Sequence, residues 1–79
     1  MKNLLNRIVL DPEIMVGKPT IRGTRITVQH ILGLLAQNFS PEAIIEEYPR
    51  VTREDIQACL LFAQNALEDF EFVPLITGA

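Results

Sequence analysis

The chain has 79 residues, a formal net charge of −3 and an apolar content of 48%. This length allows one small domain, and the apolar content is well above that of disordered chains. No apolar run is long enough to span a membrane, no signal-peptide hydrophobic region is present, and the acidic balance argues against indiscriminate nucleic-acid binding.

The single cysteine, Cys59, excludes an internal disulfide and suits a reducing compartment, so we expect a cytoplasmic protein. A core of this size is marginally stable by itself, and oligomerisation or a bound partner is therefore expected. The single domain divides into a strand and turn region over residues 1–26, a three-helix bundle over residues 27–70 and an extended tail over residues 71–79.

Two short extended runs are predicted in the first region. Residues 7–10 are rich in Ile and Val and predict a strand, which the turn signal of Asp11 and Pro12 ends. A second run over residues 19–22 can pair with the first. Because a lone pair of such short strands is not stable in water, we expect it to pack on the helices or to join strands from another subunit.

The segment from Gly17 to Arg25, with the sequence GKPTIRGTR, is the most basic part of the chain. Gly17 and Gly23 predict tight turns, because glycine adopts backbone angles that a side chain forbids. The basic residues of the segment are Lys18, Arg22 and Arg25. Arginine forks suit phosphates and carboxylates, so one interpretation is an anchor for an anionic partner. The other is pairing with the protein's own carboxylates, such as Asp11 or Glu13.

The first of the three predicted helices begins after Thr27, which is a good N-cap. It ends before Asn38, which suits the left-handed position that closes a helix. Gly33 lies inside this helix and predicts the close approach of another backbone. Apolar residues at helical spacing define its buried face, which consists of Val28, Ile31, Leu32 and Leu35.

The second helix is predicted to begin after Ser40, with Pro41 in its first position, and to end before Pro49. The third begins after Thr52, which forms a variant capping box with Asp55. Its apolar stripe runs for about four turns and is the strongest periodic signal in the chain. The predicted core face of the third helix consists of Ile56, Cys59, Leu60, Ala63, Ala66, Leu67 and Phe70.

Apolar residues outside this core face predict a surface for a partner protein. Leu61 falls among the polar residues of the third helix, although a single exposed Leu is also an ordinary surface feature. The tail is apolar without helical period, and Pro74 excludes a helix there. It either covers its own core or adds an extended segment to a partner. The predicted partner-binding residues are Leu61, Phe62, Phe72, Val73, Leu75 and Ile76.

The second helix, the short connection after it and the third helix have the size and order of a helix-turn-helix unit. In such units the N-terminal residues of the second member reach base edges in DNA. Arg53 and Gln57 suit base readout, and Arg50 suits a phosphate contact. With the two arginines of the basic segment, the predicted DNA-binding residues are Arg22, Arg25, Arg50, Thr52, Arg53 and Gln57.

A role without DNA is the alternative. Glu54 and Asp55 at the start of the third helix repel phosphates, and helix-turn-helix geometry also occurs in small bundles that touch no DNA. The second hypothesis is therefore a dimeric protein-interaction module that binds no DNA.

Catalysis is not expected. His30 falls on the exposed side of the first helix, without a Cys or a second His to complete a metal site. Cys59 belongs to the predicted core face and behaves there as a small hydrophobe. Asp11 and Glu13 are better explained by turn chemistry than as an acid–base pair. We therefore expect no enzyme activity, no metal and no cofactor.

The run IVLDPEIMVGKPTIRGTRITV resembles the signature of the domain of unknown function family 433. The later pieces SPE, YP and TREDI, which lead to Ala58 and Leu60, are similar to the helix-turn-helix half of that family. The resemblance covers nearly the whole chain, and the GKPxIRGTR run is specific. The residues that match the signature are Asp11, Pro12, Gly17, Lys18, Pro19, Ile21, Arg22, Gly23, Thr24, Arg25, Ile26 and Val28.

The resemblance implies a mainly α fold, with a short N-terminal strand pair, a homeodomain-like bundle of three helices that contains a helix-turn-helix, and an extended C-terminal tail. Members are thought to be VapB-like antitoxins, similar to proteins encoded beside PIN-like ribonuclease toxins that they would bind and silence. We accordingly expect an antitoxin-like regulator that binds a PIN-like toxin with its C-terminal part and docks promoter DNA through its helix-turn-helix. It is expected to form a homodimer or higher oligomer through the N-terminal strands.

Overall fold

A computed structural model describes residues 3–68 of the chain. The first half of this part contains a 3-10 turn (Leu4–Arg7), strand β1 (Ile8–Val9), a second 3-10 turn (Met15–Gly17) and strand β2 (Thr20–Ile21). The second half contains helices α1 (Val28–Ala36), α2 (Pro41–Glu47) and α3 (Arg53–Ala66). The strand pair and the three helices confirm the predicted mainly α fold. The predicted tail, residues 71–79, and Phe70 of the predicted third helix lie outside the described residues.

The two strands form one antiparallel pair within the chain. Ile8 pairs with Ile21, and Val9 pairs with Thr20. Ile8 and Ile21 are both buried in the core, and β1 packs on α3. Of the two predicted kinds of support for these short strands, the described residues show packing on a helix, which supplies the stability that the pair lacks by itself.

Left-handed backbone shapes both turns of the GKPTIRGTR segment. Gly17 has a φ of 79° and Gly23 a φ of 80°, which confirms the turns predicted at the two glycines. Met15 and Val16 share this conformation, with φ values of 52° and 56°. Val16 is β-branched and 90% exposed, so burial of its side chain does not offset the strain of its backbone.

Helix α1 begins and ends where its sequence predicts. The Thr27 hydroxyl accepts a hydrogen bond from the backbone N–H of His30 at 3.0 Å. At the other end Asn38 has a φ of 75°, and the N–H of Phe39 donates to the carbonyl oxygen of Leu34 at 3.0 Å. This Schellman-type ending satisfies a carbonyl group that the helix itself leaves free.

Among residues 3–68, Gly33 of α1 has no close backbone contact of the kind predicted for it. A Cβ atom added at this position meets no atom within 4 Å among residues 3–68. We expect Gly33→Ala to raise the free energy of unfolding in urea by roughly 0.5–1 kcal/mol, because glycine inside a helix is less favourable than alanine by about that amount. A loss of stability in the variant would show that another surface, such as a second copy, contacts this position.

Side-chain caps fix the starts of α2 and α3. The Ser40 hydroxyl accepts from the N–H of Ala43 at 3.1 Å, and Pro41 is the first helical residue, as predicted. At α3 the Thr52 hydroxyl accepts from the N–H of Asp55 at 3.1 Å, and the Asp55 carboxylate accepts from the N–H of Thr52 at 2.9 Å. These two bonds confirm the predicted capping box.

The core lies where the three helices meet the strand pair. Ile31 of α1, Ile44 of α2, and Ile56 and Cys59 of α3 are each at most 2% exposed. Val28 is also buried, as the apolar stripe of α1 predicts. The remaining members of that predicted face, which are half-buried against the core, are Leu32 and Leu35.

The predicted core face of α3 is wrong over the second half of the helix. Leu60 is 50% exposed and Leu67 is 59% exposed, whereas Ala58, which the predicted face omits, is fully buried. Arg7 of the first 3-10 turn contacts Asp55, and Ala58 lies one turn further along the same side of α3. The first 3-10 turn therefore covers this side of the helix, and Leu60 faces outward. The members of the predicted face that are exposed are Leu60, Ala66 and Leu67.

Helix α3 is the longest of the three helices. It has 14 residues, whereas α1 has 9 and α2 has 7. At about 1.5 Å per residue, α3 is longer than α1 by more than a full turn. Among residues 3–68, Ala66 in its last turn and the following Leu67 are both exposed.

Candidate partner-binding groove and arginine cluster

A groove lies between α1 and the second half of α3, and we call it the α1–α3 groove. Its volume is about 360 Å³. Lys18 and Gln29 contribute polar groups, and Ala66 lines the groove from the last turn of α3. Its walls are mainly apolar, and the larger apolar contributions come from Pro19, Val28, Leu32, Phe62, Ala63 and Leu67. A concave apolar surface of this kind suits the apolar face of a helix or an apolar extended segment.

The predicted partner-binding residues reach this groove only in part. Phe62 is half-buried and lines the groove. Leu61 is half-buried and does not line it, and the exposed leucine of this part of α3 is Leu60. The wall of the groove that α1 provides is not predicted by the sequence, because the apolar spacing of Val28 and Leu32 indicates only a buried helix face. The predicted residues outside the described part are Phe72, Val73, Leu75 and Ile76.

The basic residues of the GKPTIRGTR segment lie in two separate places. Lys18 borders the α1–α3 groove. Arg25 and Arg50 line a hollow beside the Gly23 turn, and Arg50 also lines a second cleft together with Arg7 and Arg22. We call these four arginines, Arg7, Arg22, Arg25 and Arg50, the arginine cluster.

The predicted alternative, pairing with Asp11 or Glu13, is absent from residues 3–68. One Asp11 carboxylate oxygen instead accepts from the backbone N–H of Glu13 at 2.9 Å, which is turn chemistry as predicted. The ion pairs within residues 3–68 are Arg7 with Asp55 at 3.1 Å and Arg53 with Glu42. In this part of the chain, the guanidinium groups of the basic segment therefore have no carboxylate partner.

The residues predicted to contact DNA bases lie at the start of α3, and they differ in how available their side chains are for DNA. Gln57 is exposed. Arg53 donates a hydrogen bond to Glu42 of α2, and this bond lowers the pKa of the Glu42 carboxyl. The pair with Glu42 occupies one of the five N–H donors of Arg53 and places a carboxylate beside it. The Thr52 hydroxyl already accepts a hydrogen bond within the capping box, so its main role is to start the helix.

The pair between Arg7 and Asp55 was missed by sequence reasoning. The two residues are 48 positions apart, and no local pattern connects them. The Asp55 side chain is 8% exposed, and its two oxygens accept from Arg7 and from the backbone N–H of Thr52. This carboxylate therefore ties the first 3-10 turn to the start of α3.

Cys59 is buried in the core, as its place in the apolar stripe predicts. Burial raises the pKa of the Cys59 thiol to about 12, and the nearby Asp55 carboxylate adds to the shift. The reactive thiolate is therefore scarce in the folded protein. The pKa of Cys59 is higher in the folded protein than in the unfolded protein, where it is about 8.5. Its contribution to the free energy of unfolding is therefore complete below about pH 8.5 and falls as the pH rises towards 12.

We expect Cys59 to react with Ellman's reagent at pH 8 at least roughly a hundredfold more slowly in the folded protein than in urea-unfolded protein. Labelling in native buffer then reports unfolding rather than thiol chemistry. The unfolded protein serves as the control for the reagent. Comparable rates in both states would contradict the burial of this thiol.

His30 is exposed on α1, as predicted, and its Nε2 atom lies 2.9 Å from the Tyr48 hydroxyl. Within residues 3–68, no group of three or more His, Cys, Asp and Glu side chains could hold a metal ion. None of the helices in this part of the chain is long and apolar enough to cross a membrane.

Helix α2, the connection over residues 48–52 and α3 have the order of a helix-turn-helix unit, with α1 and the strand pair packed beside them. The described residues thus form a small, mainly α bundle with an N-terminal strand pair. The chain belongs to the family described as Protein of unknown function (DUF433), whose model matches residues 8–63. This membership confirms the family assignment that the GKPxIRGTR signature predicts.

The chain is also similar to two known proteins. An uncharacterized protein of Sinorhizobium fredii is 30% identical over 57 residues, which are 72% of this chain and 26% of that protein. The chain thus spans about a quarter of the length of this curated relative. The crystal structure of a DUF433 member protein from Anabaena variabilis is 28% identical and superposes with a TM-score of 0.75, covering 80% of this chain and 62% of that one.

Proposed function

We propose that this protein is an antitoxin-like regulator whose α1–α3 groove binds a PIN-like ribonuclease toxin. The observation that carries the proposal is the groove itself, an apolar concavity on a small domain. The class of partner is taken from the resemblance of the signature to proteins encoded beside such toxins. The groove provides a contact surface for that partner.

The groove exposes apolar surface that a partner can remove from water. Leu67 at its edge is 59% exposed, and Ala66 is also exposed. Burial of apolar surface contributes roughly 25 cal/mol per Å², so filling this groove with an apolar segment favours association. Lys18 at the rim adds a positive charge that can orient a partner.

The predicted tail follows the groove-lining residues closely in the sequence. Leu67 lines the groove, and Glu68 is the last described residue. The apolar residues predicted to bind a partner, Phe72, Val73, Leu75 and Ile76, follow within a few positions. In this proposal the toxin binds both the groove and the tail residues, and the two contacts together would hold it in an inactive complex.

Co-expression with the PIN-like toxin tests this proposal. Ala66→Glu places a charged side chain in the apolar groove, and Gln64→Glu, at an exposed position on the same helix outside the groove, is the matched control. We expect the wild-type protein and Gln64→Glu to relieve the growth arrest caused by the toxin, and Ala66→Glu to fail. Thermal melts of the three proteins check that each folds. Full relief by Ala66→Glu, or none by the wild type, would refute the proposal.

DNA binding is a second candidate function, favoured by the exposed face of α3. Arg53, Gln57, Leu60 and Gln64 follow one another at helical spacing on that face, and all four are exposed. Three predicted DNA-binding arginines of the arginine cluster, Arg22, Arg25 and Arg50, line adjoining hollows. In this second function, Gln57 would read a base edge while these arginines contact phosphates.

A titration against the DNA upstream of the gene, with a scrambled duplex of equal length beside it, tests this function. Binding that prefers the upstream sequence, weakens steeply with salt and loses its preference in Gln57→Ala would support it. Glu46→Ala, at an exposed position on α2, is the control. Equal binding to both duplexes, or none, would favour the alternative of a dimeric interaction module without DNA.

A further inference from the structure

The cleft that holds three of the clustered arginines lies between the first 3-10 turn, the Gly23 turn and the start of α3. Its volume is about 520 Å³. Arg7 enters it from the first 3-10 turn, Arg22 from the end of β2, and Arg50 from the connection before α3. The remaining lining residues are Asn3, Asn6, Thr52 and Asp55.

Each of these arginines is held in place by an oxygen of the protein. Arg22 donates from Nε and Nη2 to the carbonyl oxygen of Asn6, at 2.9 and 2.6 Å. Arg50 donates from Nη1 to the carbonyl oxygen of Gly23 at 3.2 Å, and Arg7 donates from Nη1 to Asp55. A guanidinium carries five N–H donors, so these bonds leave at least three on each arginine for a ligand. Side chains that are already ordered lose less entropy when a ligand binds.

The cleft also carries a local excess of positive charge in an acidic protein. Three arginines line it against one carboxylate, that of Asp55. The Asp55 oxygens accept from Arg7 and from the N–H of Thr52, whereas Arg22 and Arg50 donate to backbone carbonyl oxygens. The surplus is two positive charges, whereas the whole chain has a net charge of −3.

We propose that this cleft binds a phosphate monoester, carried by a nucleotide or by a phosphorylated nucleic-acid end. A terminal phosphate presents three acceptor oxygens and nearly two negative charges at pH 7, which matches the converging guanidinium donors and the surplus charge. A carboxylate, with two oxygens and one charge, satisfies fewer of these groups. The cleft is separate from the α1–α3 groove, so the site does not depend on the proposed toxin contact.

The test follows the arginine Nε–H signals of ¹⁵N-labelled protein during titration with inorganic phosphate at constant ionic strength, with acetate as the comparison anion. We expect phosphate to shift the Arg22 and Arg50 signals. Arg50→Lys keeps the charge but removes the fork, and it is expected to weaken phosphate binding about tenfold. Glu46→Asp, which keeps its charge at an exposed position outside the cleft, is the control and is expected to bind as the wild type does. Arg22→Lys is the second variant if Arg50→Lys does not fold.

Adenosine monophosphate and a short DNA duplex without terminal phosphates then distinguish a phosphate monoester from the nucleic-acid backbone. Tighter binding of the monophosphate supports the proposal. Tighter binding of the duplex would overturn it, because each backbone phosphate carries a single charge. Absence of phosphate-dependent shifts up to concentrations on the order of tens of millimolar, or equal weakening by Glu46→Asp, would also overturn it. So would binding of inorganic phosphate without binding of the monophosphate.

Discussion

Asp55→Ala is expected to lower the free energy of unfolding by about 2–3 kcal/mol. The substitution removes one half of the α3 capping box and the only carboxylate that Arg7 contacts among residues 3–68. The Arg7 side chain is 34% exposed, so water partly compensates for its lost partner, and the cap and the tie between distant segments account for the rest. In a domain of this size, such a loss lowers the Tm by roughly 10 °C or more.

Urea denaturation of the Asp55→Ala protein measures this effect, with Glu46→Ala as the control. Glu46 is an exposed acidic residue on α2, and its replacement is expected to change the stability by less than about 0.5 kcal/mol. A double-mutant cycle with Arg7→Ala separates the ion pair from the cap. A loss below about 1 kcal/mol in Asp55→Ala would contradict the structural role assigned to this carboxylate.

Ile56→Ala is expected to destabilise the protein by about 3 kcal/mol, whereas Leu60→Ala is expected to cost less than about 1 kcal/mol. Ile56 is 2% exposed, so its truncation leaves a cavity in the core. Leu60 is 50% exposed, and its truncation removes mainly surface contacts. Both residues lie in the interior of α3, so the change in helix propensity is similar in the two variants.

Chemical denaturation of the two variants under the same conditions decides which face of α3 is buried. The apolar stripe of the sequence contains both residues and predicts comparable losses. The structure predicts unequal losses. Equal destabilisation by the two substitutions would indicate that Leu60 is buried, as the apolar stripe predicts, and would contradict the packing of α3.

The sequence signals that succeeded are local ones. Thr27, Ser40 and Thr52 each cap a helix through a bond to a residue three positions later, so the residues that decide the helix start lie together in the sequence. The turns at Gly17 and Gly23 depend on one residue each. Such features can be read without knowledge of the rest of the fold.

Non-local features were not predictable in the same way. The apolar period of α3 shows which residues can be buried, but the elements packed against the helix determine which of them are buried. Leu60 therefore belongs to the stripe and still faces outward. Arg7 and Asp55 meet across 48 positions, and Val28 and Leu32 serve the core and the groove together. These contacts depend on how distant segments of the chain pack together, and no local sequence pattern shows them.

NMR shows directly whether the PIN-like toxin binds in the α1–α3 groove. The backbone amide signals of ¹⁵N-labelled protein are followed while unlabelled toxin is added. We expect the largest changes at the amides of Gln29, Leu32, Ala63 and Ala66, which line the groove. Changes confined to the exposed face of α3 around Gln57, with the groove signals unaltered, would contradict it.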